Sequence, residues 1–131
     1  MSATVKQIRA LPFTVDAPWP PHTLSPNARV HWRRLAAFKA KYKADCMTMF
    51  MGQGLRGIDL PEELVLNVTM VFTPPVSRDH DSDNLIARAK YLLDALKDVI
   101  QHDDKHFRIQ PITILPANRK AAGVRVTVEV A

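Results

Sequence analysis

The sequence has one cysteine, Cys46, so no internal disulfide can form, which fits a reducing compartment. No apolar run reaches membrane-spanning length, and the start, MSATVKQIRALPFTV, lacks the continuous apolar core of a secretory signal. These absences argue against membrane-embedded and secreted classes and make the cytoplasm the expected location. There is no internal repeat and no low-complexity tract. A chain of 131 residues is long enough for one hydrophobic core, so a single domain over 1–131 is expected. One further absence is local. From Ala17 to Ala44 there is no acidic residue but six basic ones (Arg29, Arg33, Arg34, Lys39, Lys41, Lys43). That segment carries +6 in a chain of net charge +5, so the remainder sums to −1. An unopposed positive arm points to a polyanionic partner, and Arg119 and Lys120 add to the basic candidates for phosphate contact.

Hydrophobic periodicity sets out the elements. A short strand-like run opens LPFTVDAPWPPHTLSPN, and Pro18, Pro20, Pro21 and Pro26 then fix an extended loop over 17–27. Leu35, Phe38, Tyr42, Cys46 and Met49 share one face of a helix from about Val30 to Met51, with Met47, Met49 and Met51 expected to fill core. In LVLNVTMVFT, residues 64–73, Leu64, Leu66, Val68, Met70 and Phe72 alternate as the apolar face of a strand. A second helix is expected from about Asp83 to Ile100, with Leu85, Ala89, Leu92, Leu96 and Val99 buried. FRIQPITIL and VRVTVEV read as a terminal hairpin. The order β-α-β-α-β-β predicts an α+β domain with two helices packed on a small mixed sheet. Trp19 and Trp32 are expected to pack against the proline loop, with base stacking as the functional alternative.

The chemistry concentrates in DHDSDN, residues 79–84. All seven acidic residues between Asp79 and Asp104 are aspartate, and three of them, Asp79, Asp81 and Asp83, alternate just before a helix. Helical spacing places Asp83, Lys90 and Asp94 on one stripe, opposite the buried leucines. Capping and local ion pairing are the plain alternative, and what they explain poorly is the multiplicity, since one cap requires one aspartate. A calcium loop is disfavoured, because its sixth and twelfth positions, which require glycine and glutamate, hold Asn84 and Lys90. A magnesium site for phosphodiester cleavage uses the carboxylates, the lysine and the basic arm together. His80, His102 and His106 flank the aspartates, but magnesium prefers oxygen donors.

The string D-S-D-N-L-x-x-x-x-K-x-x-L-D-A-L from Asp81 to Leu96, followed by Asp103 and Asp104, resembles the RusA family of phage and prophage Holliday-junction resolvases. APWPPHTLSPN, residues 17–27, is similar to that family's P-x-P-P-S-x-N opening, with His22 where serine is usual. The spacing from Asn84 to LDAL is about one helical turn longer than in the best-known member, so Lys90 is aligned from the LDAL side. The resemblance implies a homodimeric endonuclease that needs magnesium, with manganese as a substitute, and nicks four-way DNA junctions in recombination and repair. It further implies Asp81, Asp83 and Asp104 as metal ligands, with Lys90 beside them as a catalytic residue. The alternatives at this level are a metal-dependent nuclease on flap or single-stranded DNA and a non-catalytic DNA-binding module.

Overall fold

A computed structural model describes residues 10–131. The reading of the chain's start as lacking a secretory core falls partly on residues 1–9, outside the described residues. Five strands form one mixed sheet: β1 (Phe13–Ala17), β2 (Leu66–Thr73), β3 (Phe107–Ile109), β4 (Thr113–Ile114) and β5 (Gly123–Val130). Three helices complete the α+β fold: α1 (Trp32–Gly52), α2 (Ser82–Arg88) and α3 (Lys90–Ile100). The sheet order is β1-β5-β2-β3, with β4 also beside β2. β5 is antiparallel to β1 and to β2, whereas β3 and β4 run parallel to β2.

The alternation read in β2 is the alternation observed: Leu66, Val68, Met70 and Phe72 are fully buried. On the neighbouring strand Val124, Val126 and Val128 are buried on the same side, and Val15 and Ala17 of β1 extend that face. α1 and α3 pack against each other, and their apolar stripes join these residues in one core.

Three expectations need correction. The terminal hairpin does not form, because β5 lies between β1 and β2 rather than beside β3 or β4. The partner of β5 is eight residues long and uninterrupted, whereas β3 and β4 are short pieces separated by Gln110-Pro111-Ile112. Pro111 has no N–H for a ladder, so the longer strand offers β5 more paired backbone. The second helix is two helices. At Ala89 the backbone turns to φ −80°, ψ −1°, and its N–H is shared between Leu85 O and Ile86 O. This tightened turn interrupts the regular phase on which the Asp83–Lys90–Asp94 stripe rested. Finally, Met49 and Met51 are 39% and 44% exposed, and Phe50 takes the core position. The stripe Tyr42, Cys46, Phe50 steps by four residues and so drifts around the helix by about 40° per step, away from Met49.

Candidate functional site

The proline-rich loop is tied down by three side chains from distant elements. Tyr42 of α1 donates its hydroxyl to Pro18 O at 2.7 Å. Asn84 of α2 donates through Nδ2 to Ser25 Oγ at 2.8 Å, across 59 residues of sequence. Arg88, the last residue of α2, donates through Nη2 to Pro20 O and lies over the Trp19 ring at 5.5 Å. Prolines lack an N–H but keep a carbonyl, and two of the three ties are donors reaching proline carbonyls, Pro18 O and Pro20 O.

These ties close one wall of a groove of about 550 Å³. Trp19, His22, Ser25 and Asn27 come from the proline-rich loop. The facing wall is Pro75, Val76, Arg78, Asp79, His80 and Asp81, with Asn84 and Arg88 from α2. Trp19 is anchored edge-on against buried Phe72 at 6.0 Å and against His80 at 5.4 Å. Trp32 does not pack on the loop: it is 67% exposed, with Arg33 over its ring.

Among the predicted catalytic residues, Asp81 lines this groove and the others do not. Asp81 is the N-cap of α2; its Oδ1 accepts the Asp83 N–H at 2.9 Å. That leaves Oδ2 without a donor among the described residues, and Asp83 is exposed within the first turn of the same helix. Lys90 is exposed at the first position of α3. Asp104 is half-buried in a single 3-10 turn, Asp104–His106, beyond the other end of α3. α2, Ala89 and α3 lie between Asp81 and Asp104 along the chain. Among the described residues no three His, Cys, Asp or Glu side chains are grouped to hold a metal ion. Asp103 caps the downstream turn, and the Lys105 N–H it accepts holds its carboxyl below the usual carboxylate range. His102 is buried with its Nε2 2.7 Å from Leu64 O, in a structural contact.

The donor chemistry nevertheless suits magnesium, which keeps several waters and commonly takes one or two carboxylates plus substrate phosphates. Asp81 and Asp83 place two carboxylates at one helix start.

The predicted DNA-contacting residues divide into two groups. Lys43 is bound to Asp98 of α3 at 2.6 Å, Lys41 to Asp45 at 2.8 Å, and Lys39 lies over the Tyr91 ring at 5.4 Å. Arg29, Arg33 and Arg34 are exposed, and so are Arg119 and Lys120 in the 3-10 turn Arg119–Ala121. Sequence reasoning missed Arg88 altogether. The one available signal was that it interrupts the apolar side of an amphipathic helix, next to Ala89.

No helix among the described residues is long and apolar enough to cross a membrane. No family model matches the sequence. A protein of Xylella fastidiosa, described only as uncharacterized, is 36% identical over 126 residues, spanning 96% of this chain and 79% of that protein. At that identity over nearly the whole chain, this protein and the Xylella fastidiosa protein belong to one family.

Proposed function

We propose that the chain is a magnesium-dependent endodeoxyribonuclease of the RusA type, acting as a homodimer on four-way DNA junctions. One observation carries this reading: the proline-rich motif and the D-S-D-N motif wall the same groove and are hydrogen-bonded through Ser25 and Asn84. The two strings that resemble one family signature are thereby parts of one surface rather than separate coincidences.

In this reading Asp81 and Asp83 hold the ion, which when bound lowers the pKa of a water and neutralises phosphate charge. Lys90 stabilises negative charge on the leaving oxygen. The exposed arginines of the positive arm hold the flanking backbone. Asp104 is the third carboxylate of the set in this reading, as the family signature implies. Two equivalent sites also match the symmetry of paired nicks.

The second reading is a DNA-binding module without catalysis, and the Asp81 cap favours it, since capping alone gives that carboxylate a structural task. Asp81→Asn separates the two, because asparagine caps a helix as well as aspartate but is a poorer magnesium ligand. A labelled four-way junction, linear duplex and flap are incubated with magnesium or chelator. Junction nicking by wild type, lost in chelator and in Asp81→Asn with binding retained, is the expected result. Intact junctions in every lane would leave the binding module. Preferential cutting of the flap would replace the junction by a different substrate.

A further inference from the structure

Arg88 is 7% exposed, and among the described residues no carboxylate pairs with it. Its Nη2 is used by Pro20 O, but its Nε–H has no partner among the described residues. His80 Nε2, in the same groove and beside the same tryptophan, is also without one. Burial lowers the pKa of the guanidinium, as expected of a cation taken from water without a counter-ion. A loop clamp alone does not call for this arrangement. A neutral donor can tie down a loop without burying a charge, as the Asn84 amide does through the Ser25 hydroxyl.

We infer that the groove receives one phosphate group on Arg88, with the guanidinium fork supplying the principal contact and His80 flanking it. Arg78 stands on the same wall, offsetting one of the two carboxylates, Asp79 and Asp81, that oppose an anion there. Nε and the His80 nitrogen are closed to solvent beside the Trp19 ring, so the inference requires the Trp19–His80 pair to move aside when phosphate binds. Trp19 therefore reports the event. The phosphate is either a diester of a DNA backbone or a free phosphate, monoester or inorganic. Only the first source rests on the nuclease reading.

The test uses the full chain, ¹⁵N-labelled, with the Arg88 Nε–Hε cross-peak assigned by its loss in Arg88→Lys. Trp19 emission is followed in parallel in Trp32→Phe, which removes the exposed tryptophan outside the groove. One arm titrates inorganic phosphate; the other titrates a short oligodeoxynucleotide lacking terminal phosphates. A saturable shift of the Arg88 cross-peak with a matching change in Trp19 emission is expected in at least one arm, and the responding arm names the source. Arg88→Lys keeps the charge but loses the fork, and weakens apparent affinity about tenfold. A visible Arg88 cross-peak that stays still in both arms overturns the inference. So does unchanged affinity in folded Arg88→Lys; if that variant does not fold, the wild-type cross-peak decides alone. Junction nicking with a silent Arg88 sinks this site and spares the nuclease, whereas a phosphate response without nicking does the reverse.

Discussion

Cys46 is fully buried on α1, and burial pushes its thiol up to about 12. An unfolded cysteine ionises near pH ~8.5. The neutral thiol therefore contributes stability that is fully present below about pH 8.5 and is lost as pH rises towards 12, because the unfolded state releases its proton first. Between pH 8 and 9, where an unfolded tyrosine is still less than about one-tenth ionised, the urea midpoint of the wild type falls. Cys46→Ala, less stable at pH 7 by about 1–2 kcal/mol from the cavity it leaves, loses less over the same interval. Parallel pH curves for the two proteins would refute the burial argument. The native thiol is also expected to resist alkylation at pH 8 until the chain is unfolded. At this scale the aspartates were legible because alternating like charges are costly and therefore informative. Arg88 was not, since an arginine in an amphipathic helix has the same sequence signature whether it reaches water or is pinned beneath a loop.

Gly123 begins β5 at φ 152°, and a Cβ there would sit 2.7 Å from Ala17 O on the facing strand. Both contacting groups are backbone, so relief requires β1 and β5 to separate at that end. Gly123→Ala is expected to cost about 1–3 kcal/mol, read as a drop in urea midpoint, with faster hydrogen exchange at the β1 amides nearest Ala17. An unchanged midpoint means that the strand ends are already free to yield. β2 was readable because its alternation alone fixes which face is buried, whatever its neighbours. The position of β5 was not. Val124, Val126 and Val128 state that one face is covered but say nothing of which strands lie at the edges. The bend at Ala89 was equally silent, for neither proline nor glycine marks it; it arises from a shared hydrogen bond that no residue type encodes.

For the molecule as a whole, the positive arm is less free than its composition implies. The Asp98 hydrogen bond fastens Lys43 across the α1–α3 seam and holds its pKa above the ordinary lysine value, while Lys41 pairs within its own helix. Charges already matched by carboxylates release few counter-ions when DNA binds, whereas Arg29, Arg33 and Arg34 make no ion pair among the described residues. The two sets are thus separable by salt. With junction affinity measured across a salt series in chelator, Arg33→Ala and Arg34→Ala should each lower the slope of log K against log salt by about 1. Lys43→Ala should leave the slope within error while removing about 0.5 kcal/mol of stability or less, as an exposed pair does. Equal slope losses for Lys43 and the arginines would mean that DNA displaces Asp98, and that the seam opens on binding. Unaltered slopes for every variant would remove the positive arm from the interface and leave Arg119 and Lys120 as the remaining residues among the predicted phosphate contacts.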